Sequence, residues 1–315
     1  MGKLVISLDF ELHWGSIEKW NLNNMRSYFL DTRESIPKVL SIFKEYKIKA
    51  TWATVGYLLA KDKAQLLSFI PNIKPTYKND RLSSYNLIEQ IGDNEKVDPF
   101  HYAGSLIERI INTSGQELAS HTFSHYYCTE KGQTIEQFNL DLCAAQALVN
   151  KNYGINFKSL VFPRNQYNEE YLKVAQLNYF KVARSNPDVW FWNKIDGKLG
   201  GLTRAADTLV CISKPLSFNE DDIKVINGVT CVPSSRFFRP FKPSEKLIQN
   251  TKMNRIISEM NYAAKNNMNY HLWWHPHNFG NNVPENIIQL KQIIEHYRFL
   301  NEKYSFESVN MGQFV

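Results

Sequence analysis

The chain has 315 residues, 43% of them hydrophobic and 22% charged, with a formal net charge of +6. This composition suits a globular protein with one large core and excludes a disordered or collagenous chain. The basic residues are scattered, so no nucleic-acid surface is expected, and no run of 18 apolar residues predicts a membrane span.

The first predicted strand is Leu4-Val5-Ile6-Ser7-Leu8-Asp9-Phe10-Glu11-Leu12. Strand side chains alternate, so Asp9 and Glu11 share a face at the end of an apolar run. Two neighbouring buried carboxylates need a partner such as a metal, or a pairing of metal ligand and base. A polar, aromatic loop over 13–24 follows. Ser35 as cap and Pro37 in a first turn predict a helix beginning there, with Ile36, Val39, Leu40 and Phe43 on its buried side. Ile48–Val55 reads as the second strand.

Residues 70–100 carry loop and turn signals throughout. A helix near Ser105, stopped by Gly115, leads to the short strand Gln116–Ser120 and on to His121-Thr122-Phe123-Ser124-His125. Thr134-Ile135-Glu136-Gln137 is a capping box opening the next helix. Ser159–Phe162 is a strand ending at Pro163-Arg164-Asn165-Gln166. Residues 169–177 read as a helix and Tyr179–Val182 as a strand. The Pro-, Gly- and Asn-rich stretch 185–240, with a β-rich piece at Thr208–Ile212, defies ordering. A helix over 244–265, the strand Tyr270–Trp274 running into His275-Pro276-His277, a helix capped near Pro284 and a terminal strand over 305–308 complete the chain.

The alternation of strands and helices predicts a parallel sheet covered by helices, in which functional groups gather where strands end. Asp9, Glu11, His121, His125, Arg164 and His275 all stand at predicted strand ends. One Glu and two His form a three-ligand set that leaves room for water and substrate. Cys128, Cys143, Cys211 and Cys231 lack CxxC spacing. With a strand starting near Lys3, too early for a signal peptide, they predict reduced thiols in a cytoplasmic protein.

These segments resemble the polysaccharide deacetylase family, the carbohydrate esterases with a NodB homology domain, and the similarity covers nearly the whole chain. Asp9-Phe10-Glu11 resembles the motif supplying a base and a metal ligand, and His121-x-x-x-His125 matches its His-Ser/Thr-x-x-His metal motif. Phe162–Gln166 resembles the arginine motif, and Leu272-Trp273-Trp274-His275 the motif that supplies the acid. The resemblance implies a single catalytic domain over 1–315, an α/β fold, and a distorted (β/α) barrel of seven or eight strands. It also implies a divalent metal, expected to be Zn²⁺, on Glu11, His121 and His125. The reaction implied is hydrolysis of the N-acetyl group of an acetamido sugar in a glycan or its precursor. Asp9 would be the base, Arg164 its orienting partner and His275 the acid, with His277 a competing acid.

Two departures stand out. Phe10 separates the two acids, which are adjacent in common members, and Arg164 follows Pro163 instead of preceding it. Asp188 with Trp190 is at best a remnant of a further motif, and the sequence leaves open whether Asp188 or Arg184 contributes. A deformylase or other amide hydrolase, and a carbohydrate-binding protein with a decayed site, are the alternative readings.

Overall fold

A computed structural model describes residues 1–187, 189, 207 and 214–315. Among these residues the centre is a sheet of ten strands. These are β1 (Lys3–Phe10), β2 (Ala50–Thr54), β3 (Gln116–Ser120), β4 (Ser159–Leu160), β5 (Val182–Ser185), β6 (Lys224–Ile226), β7 (Val229–Pro233), β8 (Arg236–Phe237), β9 (Tyr270–Trp274) and β10 (Glu307–Val309). Helices α1 (Leu22–Glu45), α2 (Lys63–Phe69), α3 (Gly104–Ile111), α4 (Ile135–Tyr153), α5 (Glu169–Leu177), α6 (Gln249–Lys265) and α7 (Val283–Tyr304) connect and cover it.

The strand order is β6-β7-β5-β4-β3-β2-β1-β9-β8, with β10 set beside the start of β1. Every pairing is parallel except the β6–β7 hairpin. β7 and β8 are one passage of chain, separated by Ser234 and Ser235. The Ser234 N–H donates to the Ser185 carbonyl on one side, and the Ser235 N–H donates to the His271 carbonyl on the other (both 2.8 Å). That change of partner links the β5 side of the sheet to the β9 side and makes the sheet a distorted barrel. The expected seven or eight strands become ten, because β6 and β10 add to the circuit and the β7–β8 passage is split by its change of partner.

Period-two alternation decides what lies inside. On β1, Leu4, Ile6, Leu8 and Phe10 face the helices and join the large outer core. Val5 faces inward and packs with Ala53, Val161, Val182, Val232, Val309 and Met311 in an apolar plug. Above that plug the inward positions of β1 are Ser7 and Asp9, and Glu11 follows at the strand's end. β9 follows the same rule: Leu272 and Trp274 face outward into the core, whereas His271, Trp273 and His275 alternate with them.

Several helix boundaries differ from expectation. α1 begins at Leu22, because the Asn21 side chain accepts from the Asn23 N–H as its cap. Pro37 therefore lies well inside the helix instead of in its first turn. α2, capped by Asp62, occupies a stretch for which no element is assigned from the sequence. β5 runs to Ser185, three residues beyond the expected end. The capping box of Thr134 and Gln137 on α4 is formed as read. Asp188, Trp190 and Thr208–Ile212 lie outside the described residues.

Candidate metal centre

Three elements deliver the central cluster. Glu11 is the residue after β1, buried to 3% exposure. His121 follows β3, its N–H bonded to the Thr54 carbonyl. The chain then turns tightly through Thr122 (φ 64°) and His125 (φ 58°), both left-handed and non-glycine. Asp141 on α4 holds that turn, accepting from the Phe123 N–H (2.6 Å), the Ser124 N–H (3.1 Å) and the Ser124 hydroxyl. As a result the His121 and His125 Nε2 atoms stand 3.0 and 3.1 Å from the same Glu11 oxygen, Oε1. Gly15 makes room for this carboxylate, since a Cβ there would lie 1.7 Å from Glu11 Oε2.

The hydrogen-bond network assigns the histidine tautomers. His121 Nδ1 faces the Val161 carbonyl at 2.8 Å and must carry its proton. His125 Nδ1 faces the Tyr127 hydroxyl (3.1 Å), which itself donates to Glu18 Oε2, so this nitrogen is a donor too. In the neutral rings both Nε2 lone pairs therefore point at a carboxylate oxygen. Three electron-rich atoms in mutual contact call for a cation among them. Glu11, His121 and His125 accordingly fit a divalent metal ion, their donor atoms lying within 4.8 Å of one another.

Asp9 lies deeper. Its two oxygens accept from Arg184 Nη1 (2.7 Å) and Nη2 (2.8 Å), a bidentate pair buried on both sides. Burial alone would raise the Asp9 carboxyl. The Arg184 guanidinium, helped by His121 and His275, more than offsets this and holds it below its usual value. Arg184 is braced in turn. It stacks over the Trp273 ring (4.2 Å) and donates to Asn165 Oδ1 (3.0 Å) and to Ser7 Oγ (3.1 Å). Ser7 Oγ lies 2.8 Å from His271 Nε2, and His271 Nδ1 lies 3.0 Å from the Pro233 carbonyl. The Ser7–His271 contact resembles a nucleophile–base pair, but both groups are fully buried in the barrel and serve to hold Arg184.

This corrects the expectation for Arg164. Its guanidinium bonds Glu18 and Glu130 and stacks over Tyr127, with no contact to Asp9 among those the structure describes. Arg164 and Asn165 are both left-handed (φ 56° and 52°), a turn that sends the arginine outward to the rim and the Asn165 side chain inward to Arg184. The arginine that meets Asp9 stands on β5. The sequence signal was the alternation of that strand, which places Arg184 two residues beyond Val182, on the same face.

His275 follows β9 and is one-quarter exposed. Its Nε2 is 3.8 Å from Asp9 Oδ2 and 3.6 Å from Glu11 Oε1, and its Nδ1 lies 3.3 Å from Asn278 Oδ1. Beside it His277 is buried, its ring stacked on His275 at 4.9 Å. Asp9, Glu11, His125, His275, Trp273 and Trp20 help line an open cavity of about 390 Å³. Asp9, Glu11, His125 and His275 thus share one mouth, as functional groups do at the strand ends of a barrel.

Residues 27–183 match the family model described as polysaccharide deacetylase. The chain carries a polysaccharide deacetylase domain. The matched stretch holds His121 and His125 of this deacetylase-family chain, whereas Asp9, Glu11, Arg184 and His275 fall outside it. Among solved structures, the chain is similar to a protein from Mycobacterium smegmatis assigned to the polysaccharide deacetylases. The TM-score is 0.61 at 13% identity, covering 99% of this chain and 87% of that one. A Pseudomonas aeruginosa protein assigned to the same group gives 0.58 at 8% identity, covering 99% and 89%. A GH57-type branching enzyme from Pyrococcus horikoshii gives 0.53 at 11% identity, covering 99% and 69%. At these identities the likeness is one of fold. No curated protein matches the sequence.

Proposed function

We propose that this protein is a metal-dependent hydrolase that removes the N-acetyl group from an amino sugar in a polysaccharide or its precursor, with the whole chain forming one catalytic domain. The observation that carries the reading is Glu11 Oε1 held at 3.0 and 3.1 Å by two histidine nitrogens, with Asp9 and His275 beside it. The family match to residues 27–183 supports the same chemistry.

Glu11, His121 and His125 would hold the cation, in our reading Zn²⁺. Such an ion supplies Lewis acidity, lowering the pKa of a water and polarising an amide carbonyl. Asp9, kept ionised by Arg184, is placed to take a proton from the attacking water. His275 is placed to protonate the departing sugar nitrogen, which leaves poorly as an amide anion. Its partial exposure suits a group that must meet substrate, and Asn278 fixes its ring through Nδ1. Trp20 and Trp273 offer aromatic faces in the same cavity on which a sugar ring can stack.

The test is acetate release from N-acetylated glycan oligomers and sugar nucleotides, with formate release measured in parallel and zinc content determined on the same preparation. Acetate release together with about one ion per chain supports the reading. A purified protein that binds zinc but releases neither acid would favour a carbohydrate-binding role. His121→Ala is expected to lose the ion; unchanged metal content would remove His121 from the ligand set.

A further inference from the structure

Glu11 has two oxygens with separate surroundings. Oε1 meets His121 and His125, with His275 3.6 Å away. Oε2 turns to the opposite side, against the backbone of Gly15 and towards His277 Nδ1 at 3.8 Å. Among the described residues, His277 Nδ1 is a buried nitrogen without a hydrogen-bond partner, in a residue only 6% exposed. An orphaned buried polar atom has a cost of roughly 1–3 kcal/mol, so its persistence needs a reason. The ring is fixed by its neighbours: Trp20 packs edge-on at 5.7 Å, and His275 stacks parallel at 4.9 Å. The His277 carbonyl lies 3.4 Å from the Thr32 hydroxyl of α1. The imidazole is therefore held with its orphan nitrogen aimed at the outer oxygen of the carboxylate.

We infer that His277 is a positioning residue: its Nδ1–H is the donor that holds the outer oxygen of Glu11, so that the inner oxygen stays presented to His121 and His125. An approach of under 1 Å would bring the two atoms to hydrogen-bond distance. Partners of this kind orient a carboxylate ligand and fix which of its oxygens is offered. The inference rests on the metal-site reading above, and its test is a binding measurement that needs no substrate.

The full-length protein is freed of metal and titrated with Zn²⁺ against a chromophoric chelator, and with Co²⁺ while its visible spectrum is recorded. His277→Phe keeps a ring against Trp20 and removes the donor. It is expected to weaken Zn²⁺ binding roughly 10- to 100-fold and to alter the Co²⁺ bands. His277→Asn places an amide N–H where Nδ1 stands and is expected to recover most of that loss. His277→Gln places its amide at the other ring nitrogen's position, is not expected to recover it, and serves if the Phe variant fails to fold. Wild-type affinity in the Phe or Gln variant, or equal losses in Asn and Gln, overturns the inference. Failure of the wild-type protein to bind Zn²⁺ at all overturns the metal reading itself, and this inference with it.

Discussion

At the residue scale the decisive contact is that between Asp9 and Arg184. A buried carboxylate without a partner takes up a proton instead of staying charged. Arg184 supplies two parallel hydrogen bonds, and its own remaining donors go to Asn165 and Ser7. Arg184→Met should therefore raise the Asp9 carboxyl, and if Asp9 is the base, as proposed, it should lower kcat by roughly 10²- to 10⁴-fold, the usual worth of a general base. Arg164→Met, which breaks only the rim pairs with Glu18 and Glu130, should give a much smaller loss. Steady-state kinetics of the two variants decide the matter, and equal losses would return the orienting role to Arg164. The sequence pointed to Arg164 because Phe162–Gln166 resembles the family's arginine motif. Chain order cannot show that a left-handed pair at 164 and 165 turns that side chain away.

At the element scale the site depends on how α4 grips the turn between the two histidines. Asp141 is fully buried and takes three donors from Phe123 and Ser124. Burial nonetheless outweighs these bonds and pushes its carboxyl from 3.8 up to about 7. A carboxyl raised in the fold binds its proton more tightly folded than unfolded. Its contribution to stability is thus greatest below about pH 4, falls as the pH rises to about 7, and is level beyond. Melting temperatures of the wild type and Asp141→Asn across pH 4–8 should show the wild type losing ground over that window. A difference that does not vary with pH would contradict it.

β1 and β9 were legible because they are largely apolar runs ending abruptly in Glu11 and His275, and the short, more polar β3 because it runs from the Gly115 stop straight into His121. α4 was legible from its Thr134–Gln137 box. α1 was not, because a proline normally marks a first turn, whereas Pro37 is carried inside a helix that Asn21 had already started. β5 was read three residues too early, at 179–182 instead of Val182–Ser185, and with it the strand end at which Arg184 stands was missed.

At the scale of the whole molecule the barrel depends on the short passage from β7 to β8. β8 has only two residues, Arg236 and Phe237, so few ladder hydrogen bonds hold it to β9. No periodicity is readable over two residues, which is why this closure escaped the sequence. Charge supplies what the ladder lacks. The Arg236 guanidinium bonds both oxygens of Glu259 on α6 (2.7 Å each) and Asp207 (3.0 Å), and the Tyr270 hydroxyl of β9 donates to Glu259 at 2.9 Å. Helix, seam and neighbouring strand are pinned at one buried point. Alternation puts Phe237 on the cavity side and Arg236 on the other, away from Glu11 and Asp9. Arg236→Met would leave Glu259 with Arg255 at 3.2 Å and Tyr270 but without its bidentate partner. Removing one member of a buried ion pair costs about 3–5 kcal/mol, here a fall in melting temperature on the order of 10 °C. Zinc affinity and low-temperature turnover should remain close to wild type, because the seam bears on the closure of the barrel and not on the donor atoms in its mouth. Calorimetry alongside a zinc titration separates the two effects: a lost metal site with an unchanged melting temperature would show that the seam shapes the site directly.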